Sequence, residues 1–214
     1  MKAKAFLLMV CIALIAVVYM SCNQDQYNGE VYYSLTRDSL QKVLDSSKGK
    51  LTAIPNKIDG VPVVSLGREM FYEVTDLIEI ELPSNLVAIG DSCFRECMSL
   101  SHIELPQSLK IIGRDAFRDC QSLRTVTIPF GVEVISEGAF MSCYDLEEVI
   151  LPDTVKYIEA GAFAGCKELY KINLPDGLLY IGDRAFANCE SLKDITIPTE
   201  TLVHEDAFFK KVSQ

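Results

Sequence analysis

The chain has 214 residues, of which 49% are hydrophobic and 23% charged, and its 30 acidic and 20 basic residues give a formal net charge of −10. This length is enough for one domain with a sizeable core. Binding to phosphate backbones requires clustered Lys and Arg side chains, so an acidic chain without such clusters is expected to have no nucleic-acid partner.

Residues 1–22, MKAKAFLLMVCIALIAVVYMSC, place two lysines before an apolar run and end on a small residue and a cysteine. This order predicts a signal peptide, and the polar NQDQ that follows gives no basic stop-transfer flank. The end of the segment resembles a bacterial lipobox, in which Cys22 would become the lipid-carrying first residue of the mature protein. Tyr19 departs from the aliphatic residue usual at that position, so an ordinary cleaved signal remains the alternative.

Residues 23–53 are predicted to form a linker and an N-terminal cap. Within RDSLQKVLDSSKGK, Leu40, Val43 and Leu44 have the i, i+3, i+4 spacing of a helix face. Asp38 can act as the N-cap and Gly49 follows the end, so the pattern predicts a short helix. Its expected task is to cover the open apolar face of the repeats that follow.

A period of 23 residues organises the rest of the chain. Three columns of identical residues recur at this spacing: Phe71, Phe94, Phe117, Phe140, Phe163 and Phe186; Leu77, Leu100, Leu123, Leu146, Leu169 and Leu192; and Pro83, Pro106, Pro129, Pro152, Pro175 and Pro198. The phenylalanine column continues at Phe209, or at Phe208 if the last row lacks one residue. Such self-similarity predicts a solenoid whose coils bury their apolar sides against their neighbours.

Each row reads as a short strand, L-x-x-I-x-L-P, followed by an apolar pair, often a glycine, and A-F-x-x-C. The proline marks the end of the strand, because it has no backbone N–H for a ladder. Gly90, Gly113 and Gly182 occupy the next bend, where Ser136 and Glu159 also occur, so that bend does not require a positive φ. About seven coils are expected, with strands ~4.8 Å apart.

The rows LPQSLKIIGRDAFRDCQSL and LPDGLLYIGDRAFANCESL resemble the BspA-like, or treponemal-type, leucine-rich repeat. IPNKIDGVPVVSLGREMF is similar to the segment with which the family's repeats begin, so the resemblance covers residues 54–214. It implies a β-rich leucine-rich repeat solenoid. It also implies attachment to host matrix proteins or to other bacteria, with which BspA-like proteins are associated.

One cysteine recurs in five rows, at Cys97, Cys120, Cys143, Cys166 and Cys189, and Cys93 takes a position otherwise filled by alanine. In-register cysteines would stand about 4.8 Å apart, which is wider than the ~3.8 Å that disulfide Cβ atoms prefer. A ladder of free thiols is therefore expected. Three disulfides are the alternative in an exported protein. No C-x2-C spacing occurs, so no zinc site is expected.

The sequence contains none of the nucleophile, metalloprotease, phosphate-loop or dinucleotide motifs of enzymes. His204-Glu205-Asp206 falls in the truncated last row and is interpreted as a solvated capping segment, and His102 as an exposed strand residue. We expect no catalytic residues, no cofactor and no metal, with a hydrolase as the remote alternative.

The outward strand positions are free of the core and are the candidate binding surface, with Glu148, Ile150, Lys171 and Asn173 near its middle. A regular sheet of this kind suits a macromolecule better than a metabolite. A further column places Tyr157 and Tyr180 one coil apart, where they can stack and join an interface. Plain solubility is the alternative for the first set, and structural packing is the alternative for the tyrosines.

These features favour a non-enzymatic binding protein of the bacterial envelope, exported and held to the outer membrane or cell surface by a lipid on Cys22. Its expected partner is a host matrix protein or another cell. The alternative is a structural or assembly module that binds another envelope protein of the same cell. The sequence does not determine the oligomeric state.

Overall fold

The structure is a computed structural model that describes residues 25–27, 30–35 and 53–209. The predicted signal peptide, Cys22 and the helix predicted around residues 38–49 lie outside the described residues. Within the described ranges, no helix has the length and hydropathy of a membrane span.

The described chain is a succession of short strands and turns that stacks into a β-solenoid. Its strands are β1 (Asp25–Tyr27), β2 (Glu30–Leu35), β3 (Lys57–Ile58), β4 (Val61–Leu66), β5 (Ala88–Ile89), β6 (Ile111–Ile112), β7 (Thr125–Thr127), β8 (Val134–Ile135), β9 (Glu148–Ile150), β10 (Tyr157–Ile158), β11 (Lys171–Ile172), β12 (Tyr180–Ile181) and β13 (Leu202–Val203). The predicted solenoid is confirmed.

The core is built on a column of stacked phenylalanine rings. Neighbouring rings from Phe71 to Phe208 have centroids 5.0–5.5 Å apart and are within 12° of parallel. Phe208 stacks on Phe186, so the last row lacks one residue relative to the others. The six rings up to Phe186 are buried, together with the leucine column. Each coil therefore buries its apolar residues against both neighbours.

The predicted strand before the proline forms a parallel sheet in the middle of the solenoid. β7 pairs with β9, and β9 with β11, with a register of 23 residues. In the first coils the same positions are joined only by the single bridges Ala53 to Glu81 and Glu79 to His102.

A second strand in each coil was not predicted by the sequence. It coincides with the apolar pair after the proline turn and forms the parallel sets β4-β5-β6 and β8-β10-β12-β13. The register is again 23 residues from Tyr157 to Tyr180, but Tyr180 pairs with Leu202, which shortens the last step by one residue.

The N-terminal segment contributes strands as well as a linker. β2 runs parallel to β4 and antiparallel to β1, and β3 and β4 form an antiparallel pair. Leu35, at the end of β2, is buried. The edge of the first coil is therefore covered by β2.

The bends between the strands use two positive-φ positions in most coils. The first lies two residues beyond the glycine column, at Ser92, Asp115 and Arg184 among others, with φ of 52–53°. The glycines themselves allow neighbouring coils to approach closely, since a Cβ on Gly113 would lie 2.6 Å from the backbone nitrogen of Asp91 in the preceding coil. The expectation that the glycine position needs no positive φ is consistent with this geometry.

Candidate binding surface

The structure places the predicted outward residues on one face of the solenoid. This strand face consists of Glu79, Glu81, His102, Glu104, Thr125, Thr127, Glu148, Ile150, Lys171, Asn173, Asp194 and Thr196. All are exposed except Glu148, which is half-buried beside Lys171. The side chains between them, such as Val126 and Val149, are buried, as strand alternation requires.

The charged side chains at the centre of the strand face are paired across coils. Lys171 Nζ lies 2.6 Å from Glu148 Oε1, and this hydrogen bond raises the pKa of the Lys171 ammonium. Beside it, Arg124 Nη1 lies 3.0 Å from Glu147 Oε1. Since the Lys171 and Arg124 side chains are largely solvent-exposed, both pairs contribute little to stability.

Asn173 has a structural task that the sequence did not predict. Its Oδ1 accepts a hydrogen bond from the Leu151 N–H at 3.2 Å, and its Nδ2 donates to the Leu151 carbonyl at 3.0 Å. The side chain thus continues the ladder where β11 ends one residue earlier than β9. The Asn173 side chain therefore links two coils by hydrogen bonds and also belongs to the strand face.

Three exposed apolar side chains occur where other rows carry polar residues. Ile150 is 46% exposed on the strand face. Tyr170, two residues before Ile172, is 55% exposed and lines a shallow hollow of about 400 Å³ with Ser191, Lys193 and Asp194. Phe130, directly after Pro129, is 69% exposed. The sequence analysis missed Tyr170 and Phe130, although the departure of each from its polar column was a visible signal.

The first two coils give the strand face an acidic end. Glu79, Glu81, His102 and Glu104 line a shallow cleft of about 640 Å³ that also includes Ser84 and Gln107. His102 Nε2 lies 3.7 Å from Glu104 Oε1, so the predicted exposed histidine has one carboxylate neighbour. Within this cleft the carboxylates outnumber any basic group, which gives it a negative potential.

Tyr157 and Tyr180 belong to a different sheet. They are register partners in the β10–β12 pair, both half-buried, whereas Ile158 and Ile181 beside them are fully buried. No contact between the two tyrosine rings is found among the described residues, so the stacking considered from the sequence is not seen. The structure therefore does not join these tyrosines with Glu148 and Ile150 in one patch.

The repeat cysteines belong to the core. All six described cysteines are buried, and none of them forms a disulfide. The Sγ of Cys97, Cys120, Cys143, Cys166 and Cys189 each donates to the carbonyl of a phenylalanine in the preceding coil, at 3.1–3.2 Å. Burial raises the pKa of the Cys97 thiol to about 12 and that of Cys143 further. These thiols stay protonated at neutral pH and lack the reactivity of thiolate nucleophiles.

Comparison with known proteins gives one family and several solved structures. The family model described as BspA type leucine-rich repeat region matches residues 52–160 and 133–214 with six copies. A leucine-rich repeat protein from T. pallidum has 35% identity and a TM-score of 0.60, over 66% of this chain and 77% of that one. No match is found among curated proteins.

Two further structures are similar over shorter shares of their own chains. A leucine-rich repeat protein from Eubacterium ventriosum has 24% identity and a TM-score of 0.68, over 78% of this chain and 44% of that one. A leucine-rich cell surface protein from Faecalibacterium prausnitzii has 28% identity and a TM-score of 0.52, over 68% of this chain and 46% of that one. The chain thus spans less than half of these two proteins.

Proposed function

Because the chain belongs to the BspA-type leucine-rich repeat family, we propose that it is a non-enzymatic adhesion protein of the bacterial surface that binds a protein partner through its strand face. Members of this family typically act at surfaces or bind proteins. The partner in this proposal is a host matrix protein or a surface protein of another cell.

The observation that carries the proposal is the exposure of Ile150 at the centre of an ordered strand face. Its equivalents in other rows are Glu, Thr and Asn, and an aliphatic side chain that is 46% exposed there contributes little to folding. Apolar anchors surrounded by polar groups are typical of the centres of protein interfaces. The fixed Glu148–Lys171 pair beside Ile150 supplies a polar rim.

The acidic cleft indicates the chemistry of the partner. The carboxylates of Glu79, Glu81 and Glu104 would attract a basic segment, while Ile150 and Tyr170 receive apolar side chains further along the solenoid. Such complementarity speeds association and fixes the orientation of the partner more than it adds affinity. Binding is therefore expected to slow at high salt.

Attachment to the membrane through a lipid on Cys22 is part of the proposal. The motif around Cys22 supports it, and the test is incorporation of radiolabelled palmitate in cells. Cys22→Ser should abolish incorporation, whereas Cys11→Ser, which changes the other cysteine of the signal segment, should not. Equal labelling of the two variants would contradict lipidation at Cys22.

The second candidate function is assembly with another envelope protein of the same cell. The exposed side chains Leu179 and Leu202, 46% and 65% exposed, lie beside Tyr180 at the C-terminal end of the second sheet. This apolar surface is separate from the strand face and would serve a permanent partner. The two functions therefore predict different binding residues.

The test measures binding of the purified protein to immobilised host matrix proteins and to an extract of its own envelope. Ile150→Ala is compared with Thr127→Ala, since Thr127 is the register partner of Ile150 in the neighbouring strand. Loss of about thirtyfold in affinity with Ile150→Ala alone supports adhesion through the strand face. Loss only in a Tyr157→Ala, Tyr180→Ala variant would move the site to the second sheet. Loss in neither would place binding at the ends or before residue 54.

A further inference from the structure

Three potential metal ligands meet at the C-terminal end of the solenoid. Asp183 follows β12 by two residues, His204 follows β13 directly, and Asp206 lies two residues further on. Because β12 and β13 are paired in parallel, the segments after them run side by side in adjacent coils. One ligand atom from each residue lies within 4.8 Å of the others, and all three residues are half-buried.

Two acceptor atoms of this cluster lie close together with no hydrogen bond between them. His204 Nδ1 accepts a hydrogen bond from the backbone N–H of Asp206 at 3.2 Å, so this ring nitrogen carries its lone pair. Asp183 Oδ1 lies 3.5 Å from the same nitrogen and is buried with no hydrogen-bond partner. The Asp183 side chain as a whole is 46% exposed, so solvent stabilises part of its charge, and a cation placed between these atoms would supply the partner that Oδ1 lacks.

The spacing of the two acceptors fits one coordination sphere. Two ligand atoms that are each about 2.1 Å from a tetrahedral ion stand ~3.4 Å apart. The Asp183 and His204 atoms therefore need almost no rearrangement, apart from exchange of the long Asp206 N–H bond for the metal. The Asp206 carboxylate can complete the set by rotation, because its side chain is partly exposed.

We propose that Asp183, His204 and Asp206 form a binding site for a divalent transition-metal ion such as Zn²⁺, with a water molecule in the fourth position. An imidazole ligand favours zinc and its neighbours over Mg²⁺ and Ca²⁺, which prefer all-oxygen sites. The ion joins two coils, since Asp183 belongs to one and His204 and Asp206 to the next. The bound ion therefore links the last row to the preceding coil of the solenoid.

The first test is calorimetric titration of the purified full-length chain with ZnCl₂. One strong site is expected, and His204→Gln or Asp183→Asn should weaken it at least about tenfold. The matched control is His102→Gln, which removes the only other histidine, also beside a carboxylate, and should leave the site intact. Absence of a strong site in the unmodified chain, or equal binding by the His204 and His102 variants, overturns the proposal.

Two spectroscopic measurements distinguish metal binding by Asp183, His204 and Asp206 from metal binding elsewhere in the protein. Co²⁺ at the site should give weak visible bands without intense thiolate charge-transfer absorption, whereas intense absorption would place the ion on the repeat cysteines and refute the proposal. Zinc at 100 times its dissociation constant should slow hydrogen exchange of the Leu202 and His204 amides, which bond to the preceding coil, by up to about 100-fold. Unchanged exchange with zinc bound would also refute it.

Discussion

Truncation of Phe140 tests whether the phenylalanine column holds the solenoid together. The ring is fully buried and stacks between Phe117 at 5.3 Å and Phe163 at 5.5 Å. Phe140→Ala removes two ring contacts and leaves a cavity that both neighbouring coils line. A buried Phe→Ala change costs about 3–5 kcal/mol, and the double stacking favours the upper part of that range.

The expected loss is visible in thermal and urea unfolding. At about 2–4 °C per kcal/mol for a chain of this size, Phe140→Ala should lower the melting temperature by roughly 6–20 °C. Thr127→Ala, an exposed change in the central strand face, should stay within about 0.5 kcal/mol of the unmodified protein.

A third variant makes the prediction specific to stacking from both sides. Phe208 contacts one ring of the column, that of Phe186 at 5.2 Å, and is only partly buried. Phe208→Ala should therefore cost clearly less than Phe140→Ala. Equal midpoints for the Phe140 and Thr127 variants would refute the placement of the core. Equal losses for Phe140 and Phe208 would refute the argument that both neighbouring coils share the cavity.

Two further predictions concern buried titratable groups. In a chain with Cys11 and Cys22 replaced by serine, a thiol-reactive dye should label almost none of the six repeat cysteines natively and all six after denaturation without reductant; no new labelling would indicate disulfides. Burial, and then the charge of Glu137, raise the pKa of Glu159, so in the folded state this carboxyl keeps its proton to higher pH than in the unfolded state. The protonated carboxyl therefore contributes stability at low pH, and this contribution is lost as the pH rises through the folded-state pKa of Glu159. Glu159→Gln should therefore unfold at higher urea than the unmodified protein at pH 7 but not at pH 4, and an effect of the same sign in exposed Glu133→Gln would contradict the assignment.

The 23-residue periodicity predicted the fold because every coil buries the same apolar positions against its neighbours. The columns of Phe, Leu and Pro each mark one position of the coil, and the structure confirms the strand before the proline in the three middle coils, as β7, β9 and β11. The choice between Phe208 and Phe209 could not be made from the sequence, since both residues are aromatic. The register of Tyr180 with Leu202 decides it in favour of Phe208.

The features that escaped prediction depend on contacts between rows. The second strand is two residues long in the coils after β4, which is too short for alternation to be recognised. The hydrogen bonds of the Asn173 amide to Leu151 depend on the difference in length between β9 and β11, which is a contact between two rows. The proposed metal ligands come from two rows, Asp183 from one and His204 and Asp206 from the next, so no motif within one row indicates them.

The constant 23-residue register has a consequence for the gene. Each coil contacts only its neighbours, and each presents the same buried surface on both sides, so gain or loss of one whole row in frame leaves every remaining contact type intact. Recombination between such similar rows can therefore lengthen or shorten the recognition surface in single steps without passing through unfoldable intermediates. Smaller deletions shift the phenylalanine column out of register, and among the described residues one such shift occurs, between Phe186 and Phe208.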